Sequence, residues 1–177
     1  MTMIDTDNLR LRPFRPEDVA AYAAIRAKPE VVRYLPGGRA SAASARTDAE
    51  RLIPAFIAAW RDPGYGPWAV IERASDRLIG HAGLRHLPEL GGETEILYML
   101  DSACWGHGYA TEAARTARDY GFGTLDLDRL IALALPENTG SIRVMQKLGM
   151  TAEGPFEAFG IAGIRYAMHR KQWSQRE

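Results

Sequence analysis

The stretch from residue 94 to residue 136 constrains the fold more than any other part of this sequence. It contains the apolar run TEILYMLD, the loop SACWGHGY, the helix-forming run ATEAARTARDYGF and the apolar run RLIALALP. This pattern predicts a strand, a crossover helix and a second strand. Two strands of one sheet that are joined by a crossover helix are parallel neighbours. The sequence therefore predicts a parallel pair formed by strands at 95 to 101 and 129 to 135.

The rest of the chain surrounds this unit with elements that favour antiparallel pairing. Strand and helix periodicities alternate from NLRLRPF at the start to GIRYAMHRKQW near the end, in the order β, α, α, β, β, β, α, β, α, β, β. This order predicts a mixed α/β (α+β) fold, with a mostly antiparallel seven-stranded sheet flanked by about four helices. The glycine-containing loop at 105 to 108 lies where the first parallel strand leads into the crossover helix.

The composition of the chain indicates which partners and which cellular compartment to expect. The chain has 22 basic and 22 acidic side chains, and its formal net charge is zero. It therefore lacks a general attraction to nucleic acid or to an anionic membrane, and neither is expected as a partner. The chain has one cysteine and no apolar run that approaches the roughly 18 residues of a membrane span. We expect one cytoplasmic domain over residues 1–177, as a monomer or a homodimer.

The glycine pair in WGHGY suggests an anion site. A helix that begins near Tyr109 leaves its first amide N–H groups without helical partners, and its dipole makes that end positive. Gly106 and Gly108 would let a phosphate approach this end without meeting a Cβ atom. A sharp turn between strand and helix explains the same glycines equally well.

Two standard phosphate motifs fit this loop poorly. The Walker loop G-x-x-x-x-G-K-[ST] is absent from the sequence. The dinucleotide pattern G-x-G-x-x-G matches at Gly106 and Gly108, but Thr111 occupies the position where close packing requires a small residue. A site for NAD or FAD is therefore a weaker alternative.

The segment TEILYMLDSACWGHGYATEAARTARDYGF resembles the cofactor-binding core of the GNAT superfamily of acyl-CoA-dependent N-acyltransferases. Within it, W-G-x-G-x-A-T-E-A is similar to the loop of the ribosomal-protein N-terminal acetyltransferases. PENTGSIRVMQKLGM resembles the second family block, N-x-x-S-x-x-x-x-x-K-L-G-[FM]. The resemblance implies transfer of an acetyl group from acetyl-CoA to a primary amine. A non-catalytic acyl-CoA-binding domain on the same scaffold is an alternative.

The resemblance also implies a set of cofactor contacts. The pyrophosphate would bind backbone N–H groups of the loop, and the second block would supply polar and basic contacts. The pantetheine arm would add to the first parallel strand where, in the family, the parallel pair is splayed at the cofactor site. Trp105 stands where much of the superfamily has arginine or glutamine, so phosphate binding would fall to the backbone. The implied residues are Met99, Leu100, Trp105, Gly106, His107, Gly108, Tyr109, Ala110, Thr111, Asn138, Ser141, Arg143 and Lys147. For Asn138, the role of an ordinary helix cap is an alternative.

Acid and base assignments depend on the same resemblance. Glu95 is the first candidate for the general base, because it stands near the start of the strand that would bind pantetheine. Glu93 and Glu153 are the alternatives. The second block lacks the tyrosine that many members use as an acid, so Ser141 is the nearest hydroxyl and Tyr98 a more speculative one.

The sequence says least about the site that would bind the acceptor amine. The region from 28 to 46 and the last hairpin would form it, with Tyr34, Phe156 and Phe159 as candidate lining residues. Peptide N-termini, polyamines, aminoglycosides and small metabolite amines all stay open as acceptors. The four histidines show no metal-ligand spacing, so no metal is expected. Cys104 has no visible histidine partner, which argues against a cysteine nucleophile.

Overall fold

A computed structural model describes residues 2–175 of the chain. Across these residues, eight strands form one sheet in the order β1-β2-β3-β4-β5-β6-β8-β7. The strands are β1 (Ile4–Asp5), β2 (Leu9–Pro13), β3 (Pro67–Glu72), β4 (Arg77–Leu87), β5 (Glu93–Leu100), β6 (Arg129–Ala134), β7 (Thr151–Ala158) and β8 (Ile161–His169). The helices in the same residues are α1 (Val19–Arg26), α2 (Pro29–Val32), α3 (Ala45–Ala59), α4 (Tyr109–Gly123), α5 (Thr139–Leu148) and α6 (Arg170–Ser174).

The predicted fold class is confirmed, but the predicted numbers of seven strands and about four helices are too low. The additional elements are β1, α2 and α6, which contain two, four and five residues. Each is too short to show a periodicity of its own, so the tertiary structure around it determines its conformation. The last predicted strand also ends early, since β8 stops at His169 and α6 follows.

The predicted parallel pair is confirmed, and it is unusually short. Strands β5 and β6 are parallel and share one register position, Glu95 with Ile131. Every other pair of neighbours in the described sheet is antiparallel. Beyond Glu95 the two strands separate, although β5 continues to Leu100 and β6 to Ala134. One edge of the C-terminal half of β5 is therefore left without a strand partner.

Helices cover the two faces of the sheet unequally. Helices α4 and α5 pack on one face, where Ala113, Ala117 and Met145 join the largest apolar cluster. Helices α1 and α3 pack on the other face over β3 and β4. Further along this second face, a small cluster is built from strand residues and from Leu90 in the short 3-10 turn between β4 and β5, and none of its members comes from an α-helix. We call this part of the second face, formed by β4 to β8, the open face; the cluster contains Leu87, Leu90, Ile131, Leu133 and Ala167.

His81 is a buried histidine within the core under α1. Its Nδ1 atom lies 2.9 Å from the hydroxyl of Tyr22. Burial lowers the pKa of His81 to about 3, and the nearby charges of Arg26 and Arg85 act in the same direction. The ring is therefore neutral in the folded protein at neutral pH. In the unfolded chain the same group titrates near its ordinary pKa of about 6.5.

This difference predicts a loss of stability in acid. Below about pH 6.5 the unfolded chain binds a proton at His81 that the folded protein does not, so the stabilisation falls until the folded pKa is reached. Between pH 7 and pH 5, the free energy of unfolding should fall by about 2 kcal/mol more in the wild type than in His81→Gln. Urea titrations at both pH values measure this difference. The exposed His86 supplies the control, since His86→Gln should follow the wild type. Equal pH dependence in His81→Gln and the wild type would contradict the prediction.

Candidate active site

One cavity of about 470 Å³ opens where β5 and β6 separate. Its walls come from α2 and the residues after it, the end of β5, the glycine loop with the start of α4, and the first turns of α5. Every residue that the sequence assigns to the cofactor lines this cavity except His107, and Tyr34 lines it as well. The structure thus brings together two motifs that lie about thirty residues apart in the chain.

The free edge of β5 presents the backbone of Tyr98 and Leu100. The amide of Asp101 donates to Ile79 on β4 at 2.7 Å. Because successive residues of a strand direct their backbone groups to opposite edges, Leu100 and Tyr98 face away from β4. The indole Nε1 of Trp105 donates to the Leu100 carbonyl at 3.0 Å, which agrees with this direction. Met99 was the other predicted strand contact, but its backbone carbonyl faces β4 and its side chain lines the cavity.

The geometry of the glycine loop agrees with the sharp turn and leaves the backbone accessible, as the anion-site hypothesis requires. Gly106 and Gly108 have φ values of +83° and +82°, a left-handed conformation that favours glycine. A Cβ atom at either position would meet no other atom within 4 Å, so both residues face open space. Gly108 is also the N-cap of α4 and supplies no side-chain cap, so the first amides of that helix lack helical partners where its first residues line the cavity. The same two residues make the turn and expose the backbone.

Two carboxylates outside the cavity hold this loop in place. Glu112, in the first turn of α4, accepts hydrogen bonds from Thr6 Oγ1 at 2.6 Å and from the backbone amide of Asn8 at 2.9 Å. Its second oxygen accepts from Asn8 Nδ2 at 2.9 Å. Glu72 at the end of β3 accepts from the hydroxyl of Tyr109 at 3.2 Å. The glutamate of the ATEA run therefore anchors α4 to the turn after β1, a role that the sequence alone did not reveal.

His107 belongs to the outer surface of the loop. Its ring stacks on Tyr109 with the ring centroids 5.5 Å apart. Its Nδ1 atom lies 3.0 Å from the backbone carbonyl of Trp105. These contacts shape the loop from outside, which explains why His107 does not line the cavity.

The segment around α2 is tied to the beginning of the same loop. Lys28 forms an ion pair with Asp101, whose carboxylate also accepts from the amide of Ala103 at 3.0 Å. Ser102 donates through its hydroxyl to Glu30 at 2.7 Å. The wall that carries Tyr34 is therefore connected to the loop by two polar contacts. Sequence reasoning missed both contacts because the partners lie more than 70 positions apart.

Tyr98 and Ser141 meet across the gap between β5 and α5. The Tyr98 hydroxyl lies 2.9 Å from Ser141 Oγ and donates to the Ser141 carbonyl at 3.1 Å. Asn138 caps α5, since its side chain accepts from the Ser141 amide at 3.2 Å. Burial raises the pKa of Tyr98 above its ordinary value, so this hydroxyl keeps its proton at neutral pH. The two candidate acids are therefore one hydrogen-bonded pair.

Glu95 occupies the position where the strands part. It is the partner of Ile131 in the single parallel register position, and its side chain is 8% exposed. Arg85 on β4 donates to Glu95 Oε2 through Nε at 2.9 Å and through a terminal nitrogen at 2.5 Å. Burial raises the pKa of Glu95, and Arg85 opposes this effect. Glu95 does not itself line the cavity, which begins beyond it along β5.

The two alternative bases, Glu93 and Glu153, both accept hydrogen bonds from one arginine. Arg129 on β6 donates to both oxygens of Glu93, at 3.1 and 3.2 Å. It also donates to both oxygens of Glu153, at 2.6 Å each. These hydrogen bonds lower the pKa of Glu153. Glu153 is therefore a poorer proton acceptor than Glu95, whose pKa is raised.

The predicted acceptor residues separate into two groups. Tyr34 lines the cavity. Phe156 and Phe159 belong to the last hairpin and lie outside it. The ring of Phe156 packs over Gly163, and the ring of Phe159 lies over the guanidinium of Arg85, 5.3 Å from it. Phe159 is thus linked to Glu95 through one residue.

Cys104 has the surroundings of a structural residue. It is buried beside the cavity, and burial raises the pKa of its thiol. Arg77 donates to its sulfur at 3.4 Å. A thiol that stays protonated is a weak nucleophile, which agrees with the sequence interpretation. Within residues 2–175, no group of three or more His, Cys, Asp and Glu side chains is arranged to hold a metal ion.

Comparison with known proteins assigns this architecture to a family. The family model described as "Acetyltransferase (GNAT) domain" matches residues 8–151. The chain is 34% identical over 178 residues to the uncharacterized N-acetyltransferase YnaD of Bacillus subtilis, covering 97% of this chain and 99% of the relative. The chain belongs to the GNAT family, and it is an acetyl-CoA-dependent N-acetyltransferase. A stretch of 76 residues is also 37% identical to the spermidine N(1)-acetyltransferase of Escherichia coli K12, covering 41% of each chain.

Solved structures agree with this assignment. An acetyltransferase from Agrobacterium tumefaciens superposes with a TM-score of 0.80 and 28% identity, covering 96% of this chain and 95% of that one. A ribosomal L7/L12 α-N-protein acetyltransferase in complex with coenzyme A superposes with a TM-score of 0.79, covering 95% and 98%. Because the two sequences are only 15% identical, this superposition shows a shared fold and nothing more. In the described part of the chain, no helix has the length and apolarity that a membrane crossing requires.

The exposed backbone of the loop predicts the effect of adding a side chain there. Gly108→Val would place a branched side chain over the amides of α4 and weaken coenzyme A binding by roughly tenfold or more. Gly64 supplies a matched control, because it has φ of +97°, no atom near its Cβ position and no part in the cavity. Gly64→Val should carry comparable backbone strain and keep wild-type affinity. Calorimetric titration with coenzyme A measures both, and equal affinities in the two variants would contradict the prediction.

Proposed function

We propose that this protein acetylates a primary α-amine at the N-terminus of a peptide or protein, by direct transfer from acetyl-CoA. The observation that carries the proposal is the single cavity that joins the glycine loop, the free edge of β5 and the pair formed by Tyr98 and Ser141. These three features supply a place for a pyrophosphate, for an extended amide chain and for a thioester. Glu95 lies at the closed end of the same gap.

The residues present fit acetyl-CoA without a side-chain cation in the loop itself. Backbone amides from Gly106 to Ala110 would bind the pyrophosphate, with the dipole of α4 behind them. The amides of the pantetheine arm would pair with Tyr98 and Leu100 in the manner of an added strand. Arg143 and Lys147 of α5 line the cavity and would attract the remaining phosphate. Trp105 would form part of the wall, since its indole is already bonded to β5.

Glu95 would accept the proton that the amine loses. The amine nitrogen forms a bond to the acetyl carbon, the carbon–sulfur bond breaks, and the sulfur leaves as a thiolate. A carboxyl group with a raised pKa is better matched to this proton transfer than an ordinary surface glutamate. Because Glu95 is buried, one water molecule between the amine and the carboxylate is compatible with this role.

Ser141 would donate a hydrogen bond to the sulfur as it leaves as a thiolate, and Tyr98 would position Ser141 for this role. The Ser141 hydroxyl can donate to the leaving sulfur, while the Tyr98 hydroxyl, 2.9 Å from Ser141 Oγ, donates to the Ser141 carbonyl and holds this residue in place. The pKa of Tyr98 is raised, so this hydroxyl serves as a donor and not as an anion. The pair would thus take the place of the tyrosine that many family members have in the second block.

A polyamine is the second candidate acceptor, since part of the chain is similar to a spermidine acetyltransferase. The charges of the open face favour it less. Its carboxylates Glu93, Glu95 and Glu153 each pair with an arginine. A polycation gains most from carboxylates that are not already neutralised. The protein N-terminal amine is therefore the first acceptor to test.

A thiol-release assay with acetyl-CoA tests the proposed function. N-terminal peptides, spermidine and aminoglycosides serve as parallel acceptors, and we expect the highest kcat/KM with peptides. Release with spermidine alone would favour the second candidate. Binding of coenzyme A without release in any arm would instead indicate a non-catalytic acyl-CoA-binding domain.

The role of Glu95 predicts a particular pH dependence. Activity requires the ionised carboxylate, so kcat/KM should rise with pH through the raised pKa of Glu95. Glu95→Gln should lower kcat by about 100-fold or more and remove this rising limb, while coenzyme A affinity stays unchanged. Glu93→Gln removes the nearest alternative base on the same strand and should keep the limb. A rising limb that persists in Glu95→Gln would rule out this role.

A further inference from the structure

Arg85 has a position that the reaction described above does not use. It lies opposite Glu95 in the register between β4 and β5, so both side chains lie on the same face of the sheet. The side chain of Glu95 is 8% exposed, whereas that of Arg85 is 43% exposed. The ion pair therefore has one buried member and one member that reaches the open face.

The hydrogen bonds of Arg85 leave part of its guanidinium available. Nε and one terminal nitrogen both donate to the same oxygen of Glu95. A guanidinium carries five N–H donors in a planar fork, so the edge that faces away from Glu95 keeps donors for another acceptor. This geometry suits a carboxylate, which arginine binds through two parallel hydrogen bonds.

The ring of Phe159 lies against this guanidinium, 5.3 Å from it. Phe159 lies at the tip of the hairpin between β7 and β8, in a left-handed conformation with φ of +56°, and its ring covers Arg85. A cation over an aromatic face is attracted to it and restricted in orientation. The last hairpin therefore restricts the orientation of Arg85 on the face of the sheet that it shares with Glu95.

We infer that Arg85 is a specificity-determining residue, which selects acceptors that carry a carboxylate close to the amine to be acetylated. The inference rests on the proposed function, because it places the amine at Glu95. An acceptor with both groups would meet the negative member of the pair with its amine and the positive member with its carboxylate. An acceptor with a second cation would meet Arg85 with a like charge, which is unfavourable.

This chemistry has two sources, and they can be tested separately. In a free amino acid, the carboxylate and the amine are attached to the same α-carbon. A peptide with an acidic first residue carries it on the side chain. Both present an amine and a carboxylate on one small unit, whereas spermidine presents only cations.

Matched acceptor pairs test the inference in the thiol-release assay. Alanine is compared with alaninamide, and a peptide that begins with aspartate is compared with the same peptide that begins with asparagine. In at least one pair, we expect the carboxylate member to have a kcat/KM roughly tenfold higher, and spermidine to be poorer than that member. Comparing this ratio between the wild type and a variant cancels effects that both members share, including any change at Glu95, as well as the difference in basicity between the two amines.

Variants of Arg85 separate charge from geometry. Arg85→Gln should reduce the ratio to about one, and Arg85→Lys should give an intermediate ratio, because it keeps the charge beside Glu95 but loses the planar fork. Arg165→Gln is the control, since Arg165 lies on β8 beside Glu153 and should not change the ratio. Thermal unfolding confirms that each variant is folded before its ratio is measured.

The outcomes distinguish the inference from the proposed function. Equal rates for both members of every pair, or an unchanged preference in Arg85→Gln, would overturn the role of Arg85 and leave the acetyltransferase function standing. Coenzyme A binding without thiol release for any amine would overturn both.

Discussion

Strands β5 and β6 pair as parallel neighbours at Glu95 and Ile131 and then separate, and the rest of the site depends on that separation. A sheet that continued its hydrogen bonds would leave no backbone free for a ligand. Here the backbone of Tyr98 and Leu100 faces a cavity of about 470 Å³. The same separation lets Tyr98 reach Ser141 on α5, so the gap is bridged by a side-chain hydrogen bond in place of a backbone ladder.

Charge pairing shapes the site as much as the backbone does. The glycine loop has no cation of its own, and carboxylates on its outer side hold it: Glu112 anchors α4 to the turn after β1, and Glu72 holds Tyr109. On the open face, Arg129 neutralises Glu93 and Glu153, whereas Arg85 neutralises Glu95 and is itself half exposed. Of these three carboxylates, Glu95 is the most buried, which is the physical reason that its pKa is raised while that of Glu153 is lowered.

The parts of the structure that could be predicted from the sequence are those with a local signal. The crossover helix, its flanking strands and the glycine loop each have a periodicity or a residue type that a short window contains. The contacts that complete the site have no such signal. Glu112 and Thr6 are 106 positions apart, and Tyr98 and Ser141 are 43 apart. Whether Glu95 would be a free surface carboxylate or a buried partner of Arg85 depended on the strand register, which periodicity alone does not determine.

Amide hydrogen exchange with and without coenzyme A tests the central claim most directly, because that claim concerns individual backbone groups. If the pantetheine arm adds to the free edge of β5, saturating coenzyme A should slow exchange at the amides of Tyr98 and Leu100, together with those from Gly106 to Ala110. The amide of Met99, which faces β4, should change little. Unchanged exchange at Tyr98 and Leu100 in the saturated protein would contradict the account, even if the loop amides were protected.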